Sequence, residues 1–175
     1  MAKVRFDHEY ISKSVIENLT FNPTSDQKIV AKHLGAFTLS QKANPVYLLK
    51  GYAGTGKTSM ISAYVNTLKQ SNIKFVLLAP TGRAAKVLAQ YTGYMAHTIH
   101  RNIFQFMTNK DGTTNIILAN NKSKNCVFII DEASMIGDAS QVNNSFFNRN
   151  SLLDDIIQFV FSQQGNKLIL VGDTA

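Results

Sequence analysis

The stretch "VYLLKGYAGTGKT", residues 46–58, decides the fold. Its first half is an apolar run that does not alternate with polar residues, the pattern of a strand buried on both faces of a parallel sheet. Its second half, Gly51 to Thr58, matches G-x-x-x-x-G-K-[ST] and runs into the helical pattern "KTSMISAYVNTLKQ" at 57–70. Glycines let a backbone wrap closely around phosphates with no Cβ in the way. In such a loop the lysine, Lys57, reaches the β- and γ-phosphates, and the hydroxyl of Thr58 can hold Mg²⁺. The N-terminus of the following helix adds unpaired N–H groups and its dipole.

Three further apolar runs follow: "IKFVLLA" (73–79), "CVFIID" (126–131) and "KLILVGD" (167–173). Helical patterns separate them at 57–70, 83–91 and 151–163. Repetition of strand, helix, strand predicts an α/β fold, a mostly parallel sheet with helices on both faces. Each run ends in chemistry: "GYAGTGKT", "PTGR", "DE" and "GD". In a parallel sheet these ends share one edge, and ligands of open α/β sheets bind outside that edge.

Before the first strand, residues 1–24 read as a helical lead-in, with an amphipathic helix at 9–20 and a turn at "FNP". Residues 25–39 read as a helix whose apolar stripe is Ile29, Val30, His33, Leu34 and Phe37. Thr24 and Gln27 have the spacing of a capping box at its start. Residues 108–125 read as a hairpin-like excursion, and the asparagine-rich segment 137–150 as a mobile polar loop.

Composition bounds the partners. With 175 residues, 45% of them hydrophobic and 17% charged, the chain is long enough for one core and is not of disordered composition. No apolar run approaches the roughly 20 residues that cross a bilayer, and the N-terminus has no apolar signal region. The lone cysteine, Cys126, falls in an apolar run and offers no disulfide framework, which points to a reducing cytoplasm. A net charge of +7 favours a polyanionic partner.

The "DE" pair supplies the second half of a phosphate-cleaving site. Asp131 can hold Mg²⁺ through water, and Glu132 can polarise an attacking water as general base. A carboxylate in that second role favours hydrolysis over phosphate transfer to a small molecule. Gln27 has two readings: a capping residue, or an amide on the N6/N7 edge of adenine. Thr81, Gly82, Arg83, Lys86, His97, Thr98, His100 and Arg101 offer donors suited to a phosphate backbone. Phe104 and Phe106 are either base-stacking platforms or core residues, the core reading being favoured. His97 and His100 lack the cysteines or carboxylates that would complete a zinc site.

Taken in order, "TSDQ", "GYAGTGKTS", "LLAPTGRAAKVL", "TIHR", "IIDEASMI" and "LILVGD" resemble the first RecA-like motor domain of superfamily 1B DNA helicases, the RecD, Dda and TraA group. The resemblance runs from about residue 20 to the end. It implies a P-loop ATPase with ATP and Mg²⁺ as cofactors. Gln27 would contact adenine. Gly51, Ala53, Gly54, Thr55, Gly56, Lys57, Thr58 and Ser59 would hold the phosphates, with Thr58 and Asp131 at the metal. Asp131 and Glu132 would act with Lys57 in catalysis. Thr81, Gly82, Arg83, His97, Thr98, His100 and Arg101 would face single-stranded DNA. It also implies a fourth strand placed between the P-loop strand and the "DE" strand, with Asp173 near the γ-phosphate.

The same resemblance implies a partner domain, a second RecA-like domain of the same polypeptide, which the 175 residues lack. The chain therefore reads as one truncated, monomeric ATP-binding domain that binds ATP·Mg²⁺, hydrolyses it slowly and does not unwind DNA alone. Family members usually translocate 5′ to 3′ on single strands. Two alternatives stand beside this reading: a self-contained nucleotide switch that regulates a protein partner, and a P-loop phosphotransferase. The latter needs an arginine-bearing lid that no segment between the second and third strands supplies.

Overall fold

The computed structural model describes residues 7–137 and 151–173. Most of the loop expected at 137–150, the first residues of the lead-in and the last two residues lie outside that range. The elements are α1 (His8–Glu17), α2 (Ser25–Leu39), β1 (Val46–Gly51), α3 (Lys57–Gln70), β2 (Lys74–Ala79), α4 (Gly82–Thr92), β3 (Ala96–Thr98), α5 (Ile99–Ile103), β4 (Phe104–Thr108), β5 (Thr114–Leu118), β6 (Cys126–Ile130), a 3₁₀ turn (Ala133–Met135), α6 (Leu152–Phe161) and β7 (Lys167–Asp173).

The main sheet is parallel throughout, in the order β1-β7-β6-β2-β3. The expected insertion of the fourth run between the P-loop strand and the "DE" strand is therefore found, with Gly51 opposite Asp173 and Ile130 opposite Leu170. Alternate residues of each strand face opposite sides. On one side Leu49, Leu77, Ile129, Ile169 and Val171 pack beneath α1–α4. On the other, Leu78, Phe128, Ile130 and Leu168 meet Ile99 and Ile103 of α5 and Ile156, Phe159 and Val160 of α6. All five residues of β6 are buried, as a central strand requires. Fully burying one such Val, Ile or Phe side chain is worth roughly 1.5–3 kcal/mol.

The helices start where their caps dictate. Thr24 accepts from Gln27 N while Gln27 Oε1 accepts from Thr24 N, so the capping box at the head of α2 is complete. Ser151 and Asp154 make another at α6. α4 starts on the Thr81 hydroxyl and ends at Gly93, whose φ of 74° suits a residue without a side chain.

Three details depart from expectation. β1 is an edge strand rather than one buried on both faces: Val46 and Leu48 remain 50% and 51% exposed, because α6 covers the sheet over β6 and β7 instead. On α2 the buried stripe is Ala31, Leu34, Gly35, Phe37 and Thr38, leaving Ile29 half exposed and His33 in solvent. A short fifth strand, β3, lies beside β2, and the antiparallel hairpin β4–β5 begins at Phe104 rather than at residue 108.

Candidate active site

The loop from Gly51 to Gly56 closes on itself through its own carbonyls. Thr55 Oγ1 donates to Tyr52 O at 2.8 Å. Gly54 and Gly56 hold φ of 79° and 85°, values a side chain disfavours. At Gly56 there is a second constraint: a Cβ would stand 2.8 Å from Gln27 Nε2. α3 starts at Gly56 with no side-chain cap, so its first N–H groups stay open toward the loop.

Lys57 Nζ turns back onto this loop, donating to Gly51 O at 2.9 Å and Tyr52 O at 2.8 Å, and pairs with Asp173 Oδ1 at 2.5 Å. β7 delivers Asp173 because it lies next to β1 in parallel register. Asp131 follows β6; its N–H bonds Leu78 O and its Oδ1 accepts from Glu132 N at 3.0 Å. Glu132 adopts the left-handed conformation, φ 55° and ψ 36°, strain of a kind that concentrates at functional sites. The 3₁₀ turn after it packs on β7 so closely that a Cβ at Gly172 would lie 3.1 Å from Ser134 N.

Gly54, Lys57, Thr58, Asp131, Glu132 and Asp173 thus border one cleft of about 400 Å³. Three carboxylates face one ammonium. Burial raises the pKa of Asp131, against the Glu132 N–H and Lys57, which lower it, while Asp173 raises it further. Glu132 is also raised, by burial first and then by Asp131 and Asp173. Such crowding is the setting in which a general base gains proton affinity.

A second, adjoining cleft of about 770 Å³ opens between α2 and the loop, with Phe21, Thr24, Gln27, Tyr52 and Thr55 on its walls. Gln27 serves as cap and as tie at once: its Nε2 donates to Thr55 O at 3.2 Å. An amide carries two N–H groups and two acceptor lone pairs, so one of each is left for the edge of a base. Ala53 borders the first cleft, and Ser59 borders both.

The residues proposed to face DNA fall on the same sheet edge but outside these clefts. Thr81, Gly82 and Arg83 follow β2; His97 and Thr98 form β3; His100 and Arg101 follow in α5. Ala79 stands opposite Thr98, which brings the two groups side by side. The hydroxyls of Thr81 and Thr98 accept from Ala84 N and Arg101 N as helix caps. Arg83 and Arg101 are exposed, His97 half-buried. The two phenylalanines divide: Phe104 packs against the core, whereas Phe106 is 78% exposed on the hairpin.

Three residues enter the clefts without a signal read from the sequence. Tyr91 reaches the phosphate cleft from α4, Tyr52 projects from the loop at 71% exposure, and Phe21 borders the outer cleft. The available signal was an aromatic inside a glycine-rich loop and another just before a capping box; Tyr91 had none.

A family model described as an AAA domain (AAA_30) matches residues 25–175. The ATP-dependent RecD2 DNA helicase of Deinococcus radiodurans is 32% identical over 127 residues, 73% of this chain and 15% of that protein. An uncharacterized protein of Methanocaldococcus jannaschii is 30% identical over 145 residues, 77% of this chain and 12% of that one. The chain thus spans 15% or less of the length of these curated relatives. Among solved structures, the Phi-28 gp11 DNA packaging motor aligns at a TM-score of 0.35 and 18% identity, over 75% of this chain and 47% of that one.

Proposed function

The chain belongs to the AAA_30 family of AAA domains as a RecD-like P-loop ATPase motor domain, and from that premise we propose that it is the first motor domain of a DNA helicase that translocates 5′ to 3′ along single-stranded DNA. The observation that carries the reading is the convergence of Lys57, Asp131, Glu132 and Asp173 at the mouth of the glycine loop.

ATP fits the two clefts in sequence. The triphosphate enters between Gly54, Gly56 and Lys57, where open N–H groups and an ammonium meet it. The base lies toward Gln27, between the exposed rings of Phe21 and Tyr52. Mg²⁺ fits on donor chemistry: the Thr58 hydroxyl and the Asp131 carboxylate are hard oxygens, and the surplus of carboxylates over cations calls for positive charge. Among the described residues no group of three His, Cys, Asp or Glu could hold a metal. Mg²⁺ is commonly held by one or two protein oxygens together with substrate phosphates, and Thr58 and Asp131 would supply them. When bound, the ion neutralises charge developing on the β- and γ-phosphate oxygens.

In hydrolysis Lys57 leaves Asp173 for the phosphates and holds them in line. Glu132, its proton affinity raised by burial and by Asp131, takes the proton of the attacking water. Asp131 stays in place through the Glu132 N–H. No arginine lines the described cleft. Arginine fingers contribute roughly 10³–10⁵ in related phosphoryl transfers, so the chain binds ATP but turns it over slowly without the second RecA-like domain, and it does not unwind DNA by itself. Arg83, His97, His100 and Arg101 hold the DNA strand.

The test is the ATPase rate with and without single-stranded DNA, for the chain and for Lys57→Ala. A slow, DNA-stimulated rate lost in the variant is expected. An unchanged rate in Lys57→Ala would falsify the assignment, and unwinding of a tailed duplex by the 175-residue chain would sink the claim that it needs a partner domain.

A further inference from the structure

The opposite edge of the sheet, where the strands begin, carries a cleft of about 700 Å³ with no role in the site above. Four lysines line it: Lys42, Lys74, Lys124 and Lys167. No described Asp or Glu does, and no described aromatic residue does. The lysines follow the sheet. Lys42 precedes β1, Lys167 opens β7, Lys124 precedes β6 and Lys74 opens β2, and these are successive neighbours in the order β1-β7-β6-β2.

Cations at this edge have a structural use, since α2, α3 and α6 all end here. Lys167 Nζ donates to Ser40 O at the end of α2 and is explained by that contact. Magnitudes decide whether this accounts for all four. Three helix C-termini contribute about −1.5 charges together, at roughly −0.5 each. Four ammoniums leave an excess of about +2.5. Lys42, Lys74 and Lys124 are exposed and line the cleft, so their charges are open to solvent.

Spacing indicates the ligand. Neighbouring strands lie about 4.8 Å apart, so a row entered by one lysine per strand spans roughly 14 Å. A nucleic-acid strand in a duplex presents one phosphate per 3.4 Å of axis, about four over that span. A cleft without aromatic rings has nothing on which unpaired bases stack. We propose that this cleft is a second nucleic-acid site that holds the phosphate backbone of duplex DNA, on the sheet edge opposite the ATP site. Contacts of this kind carry no base specificity and position the duplex while the other edge handles the single strand. The choice of nucleic acid among polyanions rests on the motor function proposed above.

The experiment is fluorescence anisotropy of a labelled duplex and of a single-stranded oligonucleotide across 50–200 mM salt. The triple variant Lys42→Ser, Lys74→Ser, Lys124→Ser is compared with the unmodified chain and with Arg83→Ala, Arg101→Ala. Each lysine on a duplex phosphate contributes about 0.9 to the slope of log affinity against log salt. The triple variant is expected to lower the duplex slope by about 2–3 and duplex affinity at least tenfold at 50 mM salt, while ATP affinity and melting temperature stay as they were. The arginine variant is expected to lose single-strand binding instead. Unchanged duplex affinity and slope in the triple variant overturn the proposal, as does an equal loss on both forms of DNA. ATP binding and the Lys57→Ala comparison are read separately, so a failed ATPase reading and a failed duplex site give different results.

Discussion

Lys57 Nζ lies 2.5 Å from Asp173 Oδ1, joining the start of α3 to the end of β7 across the mouth of the glycine loop. The phosphate-binding lysine is thus already held by a carboxylate and two carbonyls, and a nucleotide must take it from them. Partly exposed pairs of this kind are worth about 0.2–1 kcal/mol. Asp173→Asn is therefore expected to tighten ADP binding about 1.5- to 5-fold, measured by titration calorimetry. Weaker binding would show that Asp173 orders the lysine for the phosphates instead of competing with them.

Gly172 meets Ser134 N with no room for a side chain. The added methyl of Gly172→Ala must push the 3₁₀ turn by a few tenths of an ångström, and Glu132 heads that turn. Misplacement of about 1 Å can cost 10²-fold in rate. A fall in kcat of up to about tenfold is expected, with KM for ATP within twofold. Steady-state kinetics decide it, and an unaltered kcat means that the turn yields without moving the base.

Thr24 and Gln27 share the cap of α2, but only Gln27 also ties down Thr55 O. Losing such a cap costs about 1 kcal/mol, or about 2–4 °C in a chain of this size. Thr24→Ala is expected to lower the melting temperature by that amount and to leave the preference for ATP over GTP intact. Gln27→Ala is expected to lower both. Equal nucleotide preference in the two variants would reduce Gln27 to a cap.

Cys126 is buried in β6, and burial pushes its thiol up to about 11, against a small opposing pull from Lys74. The thiol is expected to resist aromatic disulfide reagents at pH 8 in the folded chain and to react once denaturant is added. The sign of the pH effect follows from the raised value. The contribution to stability is complete below the ordinary value of 9.0 and is lost as pH rises toward about 11. Chemical denaturation at pH 8 and pH 10.5 checks this: Cys126→Ala should flatten the decline.

Much of this was legible in the residues. The bounds of α2 came from a capping box and helical spacing, and those of α3 from the glycine loop, because both signals are local. The "DE" and "GD" ends were assigned to one edge because a parallel sheet allows no other arrangement. β3 was missed: three residues, "AHT", are too few for a period to show. The stripe on α2 was misplaced by one position around the helix because Ile29 and His33 fit the spacing as well as Ala31 and Gly35 do, and only the packed neighbours of α2 select between them. Phe104 and Phe106 read alike and share one face of β4, yet Phe104, where the hairpin leaves α5, meets the core, while Phe106, two residues further out, is left in solvent.

By itself the sequence determined the four long parallel strands and the main helices between them, the glycine loop and the edge at which the chemistry gathers, for these follow from local pattern and from the geometry of parallel strands. Only the tertiary structure decided that β1 stands at an edge with Leu48 half exposed, that Lys57 is held by Asp173, and that four lysines from separate strands line the far side of the sheet. The physical reason is the same in each case. An apolar run encodes that a strand wants burial and a charge encodes what it attracts, but which neighbour supplies either is set by strand order, and strand order joins residues far apart in the chain.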